Sequence, residues 1–208
     1  MTAPEHFPPD ELLSALPTDP LRLVVSACLM GDAVVDDGSA RLRHPLIVEL
    51  AGAPNVEVLR FCPEHFSFGT PRSTPNCVGG TGFDVLDGKA RFVSHGGDDW
   101  TEDIIRAANE MARLAFDFGA ELAILLHISG ACGSSVIYDG HRDLKQYQRG
   151  PGVAAAALLR AGIPVVSQTD YRALRLVMSR PIPGWQAPGG LPERNMWEEG
   201  WYQQRFGA

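Results

Sequence analysis

The sequence has little positive charge and lacks a long apolar run. Lysine and arginine together number 18 against 25 aspartates and glutamates, which gives a formal net charge of −7. This acidic balance disfavours non-specific binding to nucleic acid or to a membrane surface. Because no run of about 18 apolar residues is present, we expect no membrane-spanning segment. The first six residues lack the basic and apolar regions of a signal peptide, which predicts a cytoplasmic protein.

Cysteine is also scarce, with four residues in a chain of 208. Thiols stay reduced in the cytoplasm, so we expect free thiols, metal ligands or nucleophiles rather than two disulfides. Cys28 and Cys132 each follow a short run of apolar residues, and Cys62 follows a stretch in which polar and apolar residues alternate. Cys77 lies instead in a segment with little periodicity. We interpret Cys77 as a structural residue, with an accessory thiol or sulfide acceptor as the alternative.

The order of hydrophobic patterns predicts the fold class. Short runs of branched apolar residues are typical of strands, and residues 100–118 and 152–161 have the apolar spacing of helices. The runs that predict strands are 21–27, 55–61, 121–128 and 163–167. Strands that alternate with helices favour a parallel sheet. We therefore expect an α/β protein with a single domain, in which helices flank a mostly parallel sheet.

The composition changes towards both ends of the chain. Residues 1–20 are rich in proline and acidic groups, and we expect them to form an N-terminal extension. Residues 21–180 are predicted as the α/β domain, and 181–208 as a Trp-rich C-terminal arm. Between these ends, residues 65–97 show little periodicity, which is typical of a long functional loop. Asp87-Gly88 favours a turn, which would let 83–85 pair with 90–93 in a hairpin.

The three cysteines that follow predicted strands point to one site. Parallel sheets bind ligands at the carboxyl ends of their strands. Cys28, Cys62 and Cys132 are each predicted just beyond such an end, so their thiols should lie at one edge of the sheet.

Several chemistries remain open for three convergent thiols. They could hold a [4Fe–4S] cluster that leaves one iron open as a Lewis acid. They could instead bind zinc together with a water or an acid, or Cys132 could act as a nucleophile on a glycine-rich loop. The alternative is that all three are buried small hydrophobic residues.

Short motifs carry a resemblance that bears on this choice. They are Val25-Ser26-Ala27-Cys28-Leu29-Met30-Gly31, Asp37-Gly38, Cys62-Pro63-Glu64, Thr70-Pro71-Arg72, Ser129-x-x-Cys132-Gly133 and Ile137-Tyr138-Asp139-Gly140. In this order and spacing, the stretch from Leu21 to Ser167 resembles the thiouracil desulfidase (TudS)-like family, long catalogued as a domain of unknown function.

The resemblance implies a cofactor, a reaction and a set of residues. It implies a [4Fe–4S] cluster held by Cys28, Cys62 and Cys132. It implies that the open iron takes the sulfur of a thiolated pyrimidine, and that desulfidation proceeds without net redox change. The small thiolated base or nucleoside is then the partner. The catalytic residues that match the family's motifs are Glu64 and Ser129.

The chemistry of these residues is consistent with those roles. Glu64 stands two residues after a predicted ligand, where it could act as the general base that activates water. The alternative is a surface or capping acid. Ser129 could donate a hydrogen bond to the substrate or relay a proton, or it could simply bond to the backbone of a turn.

Two further residues are predicted to contact the substrate. Arg72 could bind a carbonyl or an anion, unless it is solvated. Asp37 could also reach the substrate, although Asp37-Gly38 is typical of a turn.

The sequence departs from the family's usual pattern near the third cysteine. Gly130-Ala131 stands where Pro-Ser is common, and Leu126, His127 and Ile128 replace charged residues. Val35 and Asp36 replace an arginine and a tyrosine before the first Asp-Gly. These changes alter the polarity around the site and hence the choice of substrate. Two other functions stay open: a non-catalytic Fe–S or zinc module for sulfur delivery or redox sensing, and desulfidation of thiouridine in tRNA.

Overall fold

The computed structural model describes residues 4–140 and 142–207. Within these residues, eight strands form one four-stranded sheet and two antiparallel pairs. The strands are β1 Leu21–Ser26, β2 Val56–Phe61, β3 Pro75–Val78, β4 Arg91–Ser94, β5 Leu122–Leu125, β6 Val136–Tyr138, β7 Tyr147–Arg149 and β8 Val165–Ser167. The helices are α1 Asp10–Ser14, α2 Pro45–Ala51, α3 Pro63–Phe68, α4 Gly82–Leu86, α5 Thr101–Phe118, α6 Val153–Arg160, α7 Tyr171–Met178 and α8 Gly200–Phe206.

The central sheet has the strand order β2-β1-β5-β8, and every neighbouring pair in it is parallel. In the register of the sheet, Val25 of β1 lies between Arg60 of β2 and Ile124 of β5. All four carboxyl ends therefore lie at the same edge. The predicted α/β fold, with a parallel sheet flanked by helices, is confirmed.

Apolar side chains alternate between the two faces of this sheet because successive residues of a strand point to opposite sides. Val24 and Ala123 pack into a core with α5 and α6. Val25 and Ile124 pack into a second core with α1, α2 and α7. Each fully buried side chain of this size contributes about 1.5–3 kcal/mol, so both faces hold the strand ends in place.

The segment 65–97 is more regular than its pattern predicts. The predicted hairpin is wrong, because residues 82–86 form α4 and not a strand. Thr81 and Asp84 form a capping box that starts this helix. Strand β4 pairs with β3 instead. Cys77 lies within β3 and is fully buried.

The two ends of the chain pack against the central sheet or its neighbours. Leu13 of α1 is buried in the core beside α7. Met196 and Tyr202 form a third apolar cluster with Val136 of β6. The division of the chain at residues 20 and 180 stays a prediction.

Among the described residues, none of the helices has both the length and the apolar character that crossing a membrane requires.

Candidate functional site

A cavity of about 340 Å³ lies at the carboxyl edge of the central sheet. Its wall includes residues that follow each of the four strands: Cys28 after β1, Cys62 after β2, Leu126 after β5 and Gln168 after β8. This volume lies in the range of small-molecule sites. The fold thus places an open cleft where parallel sheets bind ligands.

The structure brings the three predicted thiols together in this cavity. Cys28 lies in a 3₁₀ turn after β1, and Cys62 is the residue that caps α3. The backbone N–H of His65 donates to the Cys62 Sγ over 3.4 Å. Cys132 lies in the loop after β5. Cys28 and Cys132 are 6% and 5% exposed, so neither is a surface thiol.

Burial and mutual repulsion oppose ionisation of these thiols. Burial raises the pKa of Cys28 to about 12, and the nearby Cys62 and Glu64 add to the rise. Burial also raises the pKa of Cys62, and it raises that of Cys132 well above its usual range. Three thiolates would therefore need a compensating positive charge. Bound metal supplies such a charge and deprotonates the thiols that coordinate it, so this donor set fits a thiolate-ligated metal group.

The three thiols face one cavity but are not spaced to share a single metal ion, which a [4Fe–4S] cluster does not require because each thiolate binds a different iron. Among residues 4–140 and 142–207, no three His, Cys, Asp or Glu side chains are close enough to share one metal ion.

The loop that carries Cys132 is held in place by hydrogen bonds from backbone N–H groups. The Ser129 Oγ accepts the N–H of Cys132 at 3.0 Å and that of Ala131 at 3.3 Å. The first turn of α6 supports the same loop, because the N–H of Val153 donates to Gly130 O at 3.0 Å. Ser129 is thus a turn serine that positions the thiol. Its own O–H proton remains available, and it lines the cavity.

Two glycines permit this close packing. A Cβ on Gly133 would lie 2.4 Å from Val136 O, and a Cβ on Gly152 would lie 2.6 Å from the carbonyl of Ala131. Real Cβ atoms do not approach backbone this closely, so neither position accepts a side chain without moving the loop.

Glu64 and Arg72, both predicted site residues, form an ion pair in the cavity wall. The Arg72 Nη2 and Nε donate to the Glu64 Oε2 at 2.8 and 3.1 Å. Their side chains are 15% and 5% exposed for Glu64 and Arg72, so the pair is largely withdrawn from water. Both bonds end on one oxygen, which leaves Oε1 outside this ion pair. The carboxylate is therefore fixed in place.

Arg72 also ties its own loop to the loop that follows β1. Its Nη1 donates to Val34 O, Gly69 O and the Thr70 Oγ1 at 3.0, 3.1 and 3.0 Å. The solvated arginine considered from the sequence is thus not what the structure shows. Sequence patterns do not reveal this arrangement, because its partners come from separate loops.

The structure does not place Asp37 with the other predicted site residues. Its carboxylate accepts the N–H of Ser39 at 2.9 Å and pairs with Arg41 in an exposed turn. The neighbouring Asp36 lines the cavity instead, together with Arg41. The two cavity residues form an ion pair of 2.7 Å.

For three polar side chains of the cavity wall, the sequence analysis predicted no catalytic or binding role. The Ser26 Oγ, His127 Nε2 and Gln168 Oε1 are buried, and none has a hydrogen-bond partner among the described residues. Burial lowers the pKa of His127 to about 4, so this imidazole is neutral at neutral pH. Position could have identified Gln168, because it follows β8 as the cysteines follow their strands.

Together these features define an α/β protein with a thiol-lined ligand cavity at its strand ends. The sequence profile of the 2-thiouracil desulfurase family matches residues 23–170, and the chain belongs to that family. The match covers every predicted site residue and all of the central sheet except the first two residues of β1.

Two relatives extend this comparison. The uncharacterized protein YbbK of Bacillus subtilis (strain 168) is 40% identical over 151 residues, which cover 71% of this chain and 96% of YbbK. The solved structure of the [4Fe-4S]-dependent thiouracil desulfidase TudS is 31% identical with a TM-score of 0.64. That alignment covers 76% of this chain and 98% of the TudS chain. The resemblance drawn from the motifs is thereby confirmed.

Proposed function

We propose that this protein is a [4Fe–4S]-dependent desulfidase that removes sulfur from a small thiolated pyrimidine such as thiouracil. The observation that carries the proposal is the convergence of three buried thiols on one cavity, in a chain similar to a [4Fe-4S]-dependent thiouracil desulfidase. In overall balance, the thiocarbonyl and one water give a carbonyl and hydrogen sulfide, so no oxidant or reductant is required.

Cys28, Cys62 and Cys132 are the residues that would hold the cluster. When bound, the cluster supplies a Lewis-acidic iron that takes up the thio sulfur and stabilises its negative charge. The raised pKa values of the cysteines fit this role, because buried thiolates need a nearby positive charge.

Glu64 is proposed as the general base. Its carboxylate would accept a proton from water as the water oxygen attacks the C=S carbon, a contribution typically worth about 10²–10⁴-fold. Arg72 holds the Oε2 of Glu64 with two hydrogen bonds and keeps the carboxylate from rotating. Attack on the carbon then breaks the C–S bond and leaves a carbonyl on the ring.

Ser129 is proposed to assist the same step. Its oxygen is occupied by two backbone N–H groups, so its hydroxyl proton is free to point elsewhere. From the cavity wall, that O–H could donate a hydrogen bond to the substrate or pass a proton to the departing sulfur. In a Ser129→Ala variant, the iron content separates this role from positioning: loss of the turn would disturb the Cys132 thiol and lower the iron content, whereas loss of the hydroxyl proton alone would lower only turnover.

The test is reconstitution without oxygen, followed by addition of 2-thiouracil. We expect about four irons per chain, as in a [4Fe–4S] protein, together with release of sulfide and formation of uracil in equal amounts. Iron without sulfide from any thiolated pyrimidine would reject the enzyme proposal in favour of a binding module. Tight binding of tRNA that weakens steeply with salt would instead favour a thiouridine in RNA as the substrate.

A further inference from the structure

The cavity contains a buried hydrogen-bond acceptor that the protein does not satisfy. The Oε1 of Gln168 is inaccessible to water and has no partner among the described residues. Buried polar atoms are nearly always hydrogen-bonded, and an exception calls for an explanation. A ligand that supplies a donor, and towards which the Gln168 side-chain amide turns from its buried position, would explain it.

The backbone around Gln168 is fixed, so the side chain does not owe its position to a loose loop. The N–H of Gln168 donates to Leu125 O at 3.0 Å and extends the pairing of β5 with β8. On its other side, the Asp170 Oδ2 accepts the N–H of Ser167 at 2.7 Å. The Asp170 Oδ1 accepts the N–H of Met196 at 2.9 Å. Gln168 is therefore presented to the cavity by a rigid strand end.

The other unpartnered groups of the wall differ from Gln168. The hydroxyl of Ser26 lies beside the Cys132 thiol and opposes the rise in its pKa, so Ser26 belongs with the thiols. His127 packs edge-on against Trp201, with the ring centroids 5.7 Å apart, and one ring nitrogen can offer only one donor or one acceptor. Gln168 alone among these three carries an acceptor and a donor side by side in one plane.

We propose that Gln168 recognises the base of a thiolated pyrimidine through two hydrogen bonds. Its Oε1 accepts the ring N–H beside the thiocarbonyl, and its Nε2 donates to the adjacent ring carbonyl. The N–H and C=O groups of a pyrimidine edge alternate, as those of a side-chain amide do, so the two can form paired hydrogen bonds. This inference rests on the proposed function, because it names what the same cavity selects. A site that buries an acceptor for a substrate N–H rejects an analogue that lacks this group.

The test compares 2-thiouracil with its N3-methyl derivative, which lacks the N–H in question. Equilibrium binding is measured by calorimetry on the cluster-loaded protein carrying Glu64→Gln, in which the ligand should not be consumed during the titration, and sulfide release is measured in parallel on the protein with Glu64. We expect the native protein to prefer 2-thiouracil by on the order of 10²-fold or more. In Gln168→Met, the preference should fall to about tenfold or less, mainly through weaker binding of 2-thiouracil.

Thermal unfolding of the ligand-free protein distinguishes a role of Gln168 in ligand binding from a role in stabilising the fold. Methionine has nearly the shape of glutamine, and replacing an unsatisfied buried polar group by an apolar one is neutral or stabilising. We therefore expect an unchanged or higher Tm in Gln168→Met and in the second variant Gln168→Leu. A sharp fall in Tm in both variants would show that Gln168 supports the fold and would overturn the inference.

The remaining outcomes separate this inference from the proposed function. Unchanged preference for 2-thiouracil in the Gln168 variants overturns the role of Gln168, even if the native protein releases sulfide. A preference that disappears in those variants supports it, even if no sulfide forms, in which case only the desulfidase proposal fails. Failure of the native protein to bind either compound overturns both. Gln186→Leu is the matched control, because Gln186 is exposed and lies outside the cavity.

Discussion

Cys132 and Cys77 are both buried thiols, yet their surroundings differ in kind. Cys132 follows a parallel strand and faces the cavity with two further thiols. Cys77 lies inside the antiparallel strand β3, where its Sγ donates to Gly130 O at 3.4 Å. Burial raises the pKa of both thiols, so burial alone does not distinguish a ligand from a core residue. What distinguishes Cys132 from Cys77 is its position beyond the end of a parallel strand and the two thiols that share its cavity.

The largest expected effect is loss of the cofactor from the cavity thiols. Cys28→Ser, Cys62→Ser or Cys132→Ser should lower the iron content after reconstitution to a small fraction of the native value and abolish turnover, because each removes one of three protein ligands. Iron and acid-labile sulfide assays measure this loss. Cys77→Ala is the control and should keep both iron and turnover. Loss of iron in that control would contradict the assignment of the ligands.

The second effect separates the carboxylate from the thiols. Glu64→Gln should retain the iron of the native protein but lower kcat/KM by about 10²–10⁴-fold, because the amide cannot accept a proton from water. Steady-state sulfide release measures the change. Glu193→Gln changes an exposed carboxylate, 84% accessible at its side chain, and should behave as the native protein. Native turnover in Glu64→Gln would remove this residue from the reaction.

The third effect concerns the stability of the cavity wall. Arg72→Met should lower the free energy of unfolding of the cluster-free protein by about 3–5 kcal/mol, because it leaves the buried carboxylate of Glu64 without its partner. Urea unfolding followed by circular dichroism measures this value. The double variant Glu64→Gln with Arg72→Met should recover part of the loss. If the double variant is as unstable as Arg72→Met, the ion pair does not account for the effect.

The smallest effect tests the thiol outside the cavity. The pKa of Cys77 is raised to about 12 by burial, so at pH 8 a thiolate fraction on the order of 10⁻⁴ is expected. Iodoacetamide should modify Cys77 at an appreciable rate only after unfolding, as mass spectrometry of tryptic peptides would show. Because the folded pKa lies above the ordinary value of 9.0, the contribution of this thiol to stability should decrease as the pH rises above about 9. Rapid labelling of Cys77 in the folded protein at pH 8 would contradict its burial.

The sequence allowed the sheet and the thiol cavity to be predicted, because both depend on local pattern. Each strand of the central sheet has the pattern of a short apolar run or, in β2, of alternating polar and apolar residues, and three cysteines stand just beyond these strands. The parallel topology then requires that their thiols meet. The strand β3 was not predicted, and β4 was predicted at residues 90–93 but with the wrong partner, because each strand has only four residues and their pairing depends on the rest of the fold.

The polar part of the cavity was less predictable for a different reason. Glu64 and Arg72 were both identified, but their ion pair was not, because it depends on how the loop after α3 folds back on the first turn of that helix. The sequence also did not show that Asp36, and not the predicted Asp37, lines the cavity. A shift of one position along a turn decides which side chain faces the cavity, and the composition of the turn does not predict such a shift.

The docking of the Cys132 loop on the start of α6 has a consequence for how this site can change over time. Gly133 and Gly152 bring main chain against main chain, and the hydrogen bonds there join backbone atoms that every residue except proline possesses. Natural variation at the intervening positions can therefore accumulate without displacing the thiol. The two glycines should tolerate almost no exchange, so a library of random substitutions would separate the loop into a few invariant positions and many permissive ones. A lineage could then change the ligand that its cavity wall accepts while inheriting the same arrangement of thiols.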